Sequence, residues 1–274
     1  MPSISVIIST YNKPKFLEKV LMGYAFQTFK DFEIIIADDG SKDETRKIVE
    51  EFHRFFPQGI FHVWHEDNGF RKCKILNKAI AKSSNEYLVF SDGDCIPNCQ
   101  FLDTHNKLAK KGYFLSGGHF PINEKVSNAI QLKDIELGNC FKKSFIFTNG
   151  QPFGKNYFKL IKNSFIAKCL DYITPTRTTF NGNNSSAWRK DIIIANGFDE
   201  RMEYGGLDCE LGYRLNNNGI KSIQIRNRAT VIHLYHTRPY KNEKAIKKNR
   251  LIRKTTLSNK ISRTDFGIID IYEN

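Results

Sequence analysis

Through the first 120 residues, short apolar runs of β character alternate with stretches whose apolar positions recur at helical spacing. Ile4–Ser9, Glu33–Ala37, Ile60–Trp64 and Tyr87–Ser91 are the β runs. Between them, a helix opening near Pro14 carries Leu17, Val20, Leu21 and Tyr24 on one face, and Asn12 is placed to cap it. Asp43–Phe52 turns Ile48, Val49 and Phe52 inward, and Cys73–Ser83 does so with Leu76, Ala79 and Ile80. Buried strands separated by helices predict an α/β fold, a mostly parallel central sheet with helices on both faces. In such sheets ligands collect outside the carboxyl ends of the strands, so the residues just after each β run are the first candidates for a site.

The pattern loosens from Gly118 to Phe180, a stretch rich in Phe, Asn and Lys, and returns near Asn181. Asn184–Trp188 reads as a strand and Asp191–Ala195 as a short helix stopped by Gly197-Phe198. Gly205-Gly206 opens a helix, Leu207–Asn216, with Leu207, Leu211 and Leu215 on one stripe and Gly219 at its close. Ser222–Ile225 and Ala229–Ile232 are further β runs. With 274 residues and no internal repeat, the chain divides into residues 1–118, residues 119–236 of the same domain, and a basic tail over 237–274.

No apolar run approaches the roughly 18 residues that a membrane span needs, and the first residues lack the basic region of a secretory signal. Six scattered cysteines form no paired zinc pattern and read as reduced, mostly buried thiols. Both observations point to the cytoplasm. The formal charge of +13 is concentrated: Arg238 to Arg263 holds ten Lys and Arg against one acid, Glu243. Lys244–Lys254 is predicted to be a helix, and its charges are expected to hold the protein peripherally on the anionic inner face of the cytoplasmic membrane.

The acids carry the chemistry. Asp38-Asp39 ends the second β run, and Asp92-Gly93-Asp94 ends the fourth. Hard carboxylate oxygens at a strand's carboxyl end suit Mn²⁺ or Mg²⁺, a metal normally shared with a diphosphate. Arg71 and Lys74, one loop upstream, carry charge suited to the same diphosphate. A sugar-nucleotide nucleotidyltransferase would need a glycine-rich loop after the first strand, and Thr10-Tyr-Asn-Lys-Pro14 has none. A basic nucleic-acid-binding protein would use the tail but leaves Asp39, Asp92, Asp94 and Asp208 without a purpose, so nucleic acid is not expected as a partner.

Taken together, Ser5-Val-Ile-Ile-Ser-Thr-Tyr-Asn12, Gln27-Thr-Phe-x-Asp-Phe-Glu33 and Asp38-Asp-Gly-Ser41 resemble the opening of family 2 inverting glycosyltransferases of the A-type fold. Arg71-x-x-Lys-x-Leu-Asn77, Ser91-Asp-Gly-Asp-x-Ile-Pro97, Asn196-Gly-Phe-Asp-Glu200 and Tyr204-Gly-Gly-x-Asp208 are similar to the β-1,4-galactosyltransferases and bacterial chondroitin-type polymerases. The resemblance implies a UDP-sugar donor and a hexose, of the galactose, N-acetylgalactosamine or glucose type, transferred to a glycan or lipid-linked oligosaccharide acceptor. It implies that Thr10, Tyr11, Asp39, Arg71, Lys74 and Asp92 bind the nucleotide, with uracil stacked on Tyr11 and its N3–H donated to Asp39. It implies Asp94 and His236 as metal ligands, with His233, which replaces a methionine of relatives, as a second or alternative ligand. Asp208 maps to the catalytic base, preceded by Leu207 where relatives carry glutamate. Tyr204, Gly205, Gly206 and Glu210 are then expected around the acceptor, although Glu210 is also spaced to pair with Arg214.

Overall fold

A computed structural model of the chain describes residues 1–161, 163–237 and 242–268. Its strands are β1 (Ile4–Thr10), β2 (Phe32–Asp38), β3 (Ile60–Trp64), β4 (Tyr87–Asp92), β5 (Cys95–Pro97), β6 (Tyr113–Ser116), β7 (Gly118–Pro121), β8 (Asn184–Trp188), β9 (Lys221–Gln224) and β10 (Thr230–His233). Seven of them form one sheet in the order β3-β2-β1-β4-β8-β6-β9. The β1, β2, β3 and β4 pairings are parallel, as is β6 with β9, and β8 runs antiparallel between β4 and β6.

All seven residues of β1 are buried, because helices cover both faces of this sheet. Val6 and Ile8 belong to one cluster with Leu17, Val20, Leu21 and Tyr24 of the helix Pro14–Ala25. Ile7 belongs to the other, with Cys73, Leu76, Ala79 and Ile80 of the helix Lys72–Lys82. Full burial of each such side chain contributes about 1.5–3 kcal/mol, so the two clusters fix the strand register. That register sets Thr10 opposite Asp38 and Ser9 opposite Asp92, gathering three loops at one carboxyl edge.

A second sheet, β5-β10-β7, crosses this edge. There β10 lies between β5 and β7, with His233 opposite Cys95 and Val231 opposite His119. The pairing carries His233 and His236, about 140 residues along the chain, to the side of Asp94.

Three expectations need correction. Asn12 does not cap the first helix: it sits at φ +48°, and Lys13 occupies the cap position. The Asn12 side-chain oxygen instead accepts from the Lys42 amide at 3.1 Å, and its own amide donates to Ser41 Oγ at 2.8 Å, tying the loop after β1 to the loop after β2. Secondly, β5, β6 and the helix Phe101–Leu108 lie in a stretch with no predicted element; strands of three and four residues are too short to show a period. Thirdly, the cysteines are free, but Cys99 and Cys169 are exposed and Cys209 is half-buried.

The basic tail is a helix, Glu243–Ser258, capped by Asn242, and it packs on the helix Leu207–Asn217. Ala245, Asn249 and Thr256 are buried in that contact. Asn249 Nδ2 donates to the carbonyls of Glu203 and Gly205 at 2.8 and 3.1 Å. The chain beyond it docks as well, Thr264 Oγ1 donating to Asp199 at 2.9 Å. The tail therefore packs on the α/β body through its buried polar side chains. Lys244, Lys247, Lys248, Arg250 and Lys254 point to solvent, whereas Arg253 turns inward. Arg238 and Tyr240, in the stretch with which the basic tail opens, lie outside the described residues. Among the described residues, no helix is long and apolar enough to cross a membrane.

Candidate active site

The loops after β1, β2 and β4, the start of the helix Leu207–Asn217 and the end of β10 surround a cavity of about 730 Å³. Thr10, Tyr11, Asp39, Asp92, Asp94, Tyr204, Gly205, Gly206, Asp208, His233 and His236 all line it. Arg71, Lys74 and Glu210 do not.

At the end of β2, Asp38 and Asp39 face different surroundings. Asp38 is fully buried and holds the turn, accepting from the Ser41 amide at 2.8 Å and meeting His62 Nε2 at 2.8 Å. Asp39 faces the cavity, fixed by His65 Nε2 at 2.7 Å and by the Arg71 amide at 2.9 Å. Burial pushes its carboxyl up, against the pull of those two donors. Gly40 adopts φ +97°, and a Cβ there would lie 2.6 Å from Asp67 Cα; glycine lets the Asp67 loop close over Asp39. Tyr11 is half exposed and donates to Asp67 at 2.7 Å, which presents its ring to the cavity. Thr10 Oγ1 is buried with no partner among the described residues.

Where the sequence points to Arg71 and Lys74, the cations that line the cavity are Lys72 and Lys13, and Lys72 stands among the acids. Its Nζ lies 2.6 Å from Asp92 Oδ1, an oxygen that also accepts from Ser9 Oγ at 2.6 Å. Burial works against its charge, yet Asp92, Asp208 and Asp94 together hold it firmly protonated. Arg71 bends away, its guanidinium donating to the Glu66 carbonyl. Lys74 is exposed on the outer face of the helix whose inner face carries Cys73, Leu76 and Asn77. Helical phase alone excludes Lys74, since it lies about 200° around the helix from Leu76.

Asp94, His233 and His236 converge. Asp94 Oδ2 is 2.9 Å from His236 Nε2, and Oδ1 is 3.7 Å from His233 Nε2. His236 Nδ1 lies 2.8 Å from the Thr237 carbonyl; with a cation in the site, donation there would turn the Nε2 lone pair to the metal in place of the hydrogen bond to Asp94. Burial raises the Asp94 carboxyl, but the His236 hydrogen bond and the charges of His233, His236 and Lys13 outweigh it and hold the group ionised. Metal bonds of about 2.0–2.1 Å at right angles would set neighbouring ligand atoms about 3 Å apart, which the Asp94–His236 pair at 2.9 Å matches for a divalent cation of the Mn²⁺ class; His233, 3.7 Å from Asp94, groups within metal reach with Asp94 and Cys95. Cys95 also comes within reach of Asp94 and His233. Burial raises its thiol well above the ordinary range, and it meets Asp94 at 3.5 Å as a neutral donor.

Asp208 opens the helix Leu207–Asn217. Burial raises its carboxyl to about 6, against the Lys72 charge and a hydrogen bond from the Gly182 backbone, and with the Asp92 charge adding to the rise. Its Oδ1 is buried without a partner among the described residues. A Cβ on Gly182 would stand 2.6 Å from that oxygen, so the glycine keeps it open. Gly205 and Gly206, expected to admit a ligand, both have left-handed φ, and a Cβ on Gly206 would meet the Arg253 guanidinium at 2.8 Å. The tail helix is what approaches them. Tyr204 packs edge-on against Phe70, ring centroids 6.3 Å apart.

Glu210 does not reach the cavity, and of the two expectations for it the structure shows the pairing with Arg214. It is buried and paired with Arg214, whose Nη2 donates to it at 2.7 Å, and Thr256 Oγ1 donates to its other oxygen at 2.9 Å. Arg214 continues to the carbonyls of Ala195 and Gly197. Nearby, Asn77 bonds both the amide and the carbonyl of Phe198, at 2.8 and 2.9 Å, so the Arg71–Asn77 and Asn196–Glu200 motifs clasp each other.

The family model of glycosyl transferase family 2 matches residues 5–170. The chain is a family 2 glycosyltransferase. Among curated relatives it is 30% identical to the chondroitin synthase of Escherichia coli over 79% of this chain and 32% of that protein. It is 27% identical to the GalNAc(5)-diNAcBac-PP-undecaprenol β-1,3-glucosyltransferase of Campylobacter jejuni over 69% of this chain and 59% of that one. The glycosyltransferase thus spans about a third to three fifths of those two relatives. Its fold is shared with S. aureus TarS 1–349 in complex with UDP-GlcNAc, at a TM-score of 0.64 and 18% identity over 94% of this chain and 69% of that one. It is shared also with the mannosyltransferase PcManGT of Pyrobaculum calidifontis in complex with GDP-Man and Mn²⁺, at 0.57 and 19% over 94% and 63%.

Several residues of this glycosyltransferase's cavity carry no sequence signal. His119 and Asn183 line it, with Asn183 Nδ2 3.0 Å from His119 Nδ1. His119 sits in the unpatterned middle and reaches the site only through the β7–β10 pairing. Ser9 and His65, which fix Asp92 and Asp39, could have been suspected only from strand register.

Proposed function

We propose that this glycosyltransferase moves a hexose from a UDP-sugar to a glycan hydroxyl with inversion, using a divalent metal held by Asp94, His236 and His233. The observation that carries the reading is Asp208: a raised carboxyl with an open oxygen, across one cavity from a carboxylate–imidazole cluster, with Lys72 between the acids. Residues 1–118 supply most of the nucleotide end and residues 119–236 the base and both histidines.

In the reaction so read, Asp208 accepts the acceptor's hydroxyl proton as that oxygen attacks the anomeric carbon from the face opposite UDP. The new glycosidic bond forms as the bond to the β-phosphate oxygen breaks, and UDP departs with that electron pair. A bound Mn²⁺ or Mg²⁺ would act as a Lewis acid toward the leaving diphosphate. Lys72 adds a fixed positive charge on the same side, while Thr10, Tyr11 and Asp39 bind uridine and Asp92 supports the ribose. Tyr204 offers a flat ring to the acceptor sugar.

The C. jejuni relative is named for a lipid-diphosphate-linked oligosaccharide, and the E. coli relative for a polysaccharide. Both support a bacterial surface glycan or its lipid-linked precursor as acceptor. The outward lysines and arginine of the helix Glu243–Ser258 support a peripheral position on an anionic cytoplasmic membrane face. Incubation with a panel of UDP-hexoses and Mn²⁺, with UDP release as the readout, tests the reading. One donor is expected to stand out, and release should rise with a glycan acceptor. Release from none, together with no binding of UDP, would refute it.

A further inference from the structure

Behind Asp208 lies a second, smaller cavity of about 190 Å³, which shares Asp92, His119, Asn183 and Asp208 with the large one. Its far side is formed by Gly117, Gly118, Lys159 and Arg226, with Asn181 and Gly182 completing it. None of Lys159, Arg226 or Asn181 belongs to the nucleotide, metal or base assignments above.

The two cations there are unusual. Arg226 Nε is buried without a hydrogen bond, and among the described residues the Arg226 guanidinium makes no ion pair. Among the described residues, Lys159 Nζ donates only to the neutral His119 carbonyl, at 2.8 Å. The two share a small space with no acid between them, and burial first, then the Arg226 charge, pulls the Lys159 amine down to about 8. His119, on the same wall, offers no negative charge to relieve the crowding. Of the two acids that face the cavity, Asp92 is paired with Lys72 at 2.6 Å, and among the described residues neither Asp92 nor Asp208 forms an ion pair with Lys159 or Arg226. Two other arginines enclosed by the fold are matched, Arg214 by Glu210 and Arg228 by Asp171, each at 2.7 Å, whereas Arg71 Nε and Arg253 Nε are buried without a hydrogen bond as Arg226 Nε is; what sets Arg226 apart is the second cation, Lys159, on the same cavity wall. Lys159 and Arg226 are half-buried, and two partly desolvated cations side by side without an acid are costly, which suits the place to a ligand that supplies the negative charge.

The pair is also built in. Thr230 Oγ1, itself buried, donates to the carbonyls of both Lys159 and Arg226, at 2.8 and 3.3 Å, and so fixes the two backbones together. A Cβ on Gly118 would lie 2.5 Å from Arg226 Cγ, so that glycine makes room for the arginine stem.

We infer that Lys159 and Arg226 form a subsite for a carboxylate carried by one of the two reacting sugars, so that a substrate of this transferase is a hexuronic acid or another acidic sugar. The inference rests on the reading of the large cavity as the sugar-transfer site. A guanidinium fork binds a carboxylate with two parallel hydrogen bonds. A doubly charged phosphate would press harder against Asp92 and Asp208 on the facing wall. Asp92 and Asp208, shared by the two cavities, set the subsite beside the proposed transfer site, on the donor or the acceptor side.

Calorimetry separates the sources. In the donor arm, UDP-glucuronic acid, UDP-glucose and UDP are titrated with Mn²⁺ into the wild-type protein, Arg226→Gln, Arg226→Lys and Lys159→Gln. In the acceptor arm, methyl glucuronide and methyl glucoside are titrated with and without UDP. The carboxylate sugar should bind more tightly than its neutral counterpart in one arm. That preference should fall on the order of 10–100-fold in Arg226→Gln and return in part in Arg226→Lys, while UDP binds every variant alike. Equal UDP binding shows that the variants fold. UDP failing to bind the wild-type protein would overturn the reading of the large cavity, and the methyl glycosides without UDP would still judge the subsite. No carboxylate preference in either arm, or one that survives Arg226→Gln, overturns the inference. So does competition by inorganic phosphate where the glucuronides do not compete.

Discussion

Asp208 is proposed to act at neutral pH because its surroundings make it a stronger base than an ordinary aspartate. Its carboxyl is pushed up to about 6, by burial before anything else, and only the ionised form can accept a proton. The pH profile of kcat/KM should therefore be level above about pH 6 and fall tenfold per unit below it, the sign expected of a required base. Asp208→Asn should keep UDP affinity and lose on the order of 10²–10⁴ in transfer rate; an active variant would move the role elsewhere. Lys72 and Lys74 offer a second contrast at this scale. Lys72→Met removes the charge 2.6 Å from Asp92 and should cost about 10²-fold in turnover. Lys74→Met, on the exposed face, should change nothing measurable in the same UDP-release assay.

At the scale of elements, the helix Glu243–Ser258 joins two jobs that its sequence shows as one. Its outward charges were legible from composition; its inward residues were not, because Asn249 and Thr256 are polar and bind backbone and Glu210 instead of forming an apolar stripe. Glu210 was legible only as one of two possibilities, and burial decided for Arg214. Glu210→Ala would leave that arginine buried and uncompensated, at a cost of about 3–5 kcal/mol. Chemical denaturation should show that loss, whereas Asp208→Asn should denature much as the wild type does. The outward charges have their own test. Changing Lys244, Lys247, Lys248, Arg250 and Lys254 to glutamine should leave turnover on a soluble acceptor intact and abolish co-sedimentation with anionic vesicles at low salt. Each basic group near such a surface contributes about 1 kcal/mol. Equal co-sedimentation of variant and wild type would remove the helix from any membrane role.

For the whole molecule, the parallel half of the sheet was readable because fully buried strands and amphipathic helices carry strong periods, as β1 and Asp43–Phe52 do. The site divides on the same ground. Asp39, Asp92, Asp94 and Asp208 stand at element ends that the sequence marks, and all four reach the cavity. His119, Lys159 and Arg226 come from short strands, a 3₁₀ turn and loops, where no period exists and only the β7–β10 pairing brings the segments together. Long-range pairing also makes the histidines neighbours of Asp94, and the central claim depends on that placement. It is tested most directly by titrating UDP calorimetrically into the wild-type protein, His236→Ala and His233→Ala, each with Mn²⁺ and with excess chelator. The wild type should bind UDP at least about tenfold more tightly with Mn²⁺, with that gain largely lost in His236→Ala, 2.9 Å from Asp94, and less reduced in His233→Ala, 3.7 Å away. UDP affinity that is the same with metal and with chelator, in all three proteins, would contradict a metal-dependent transferase at this site.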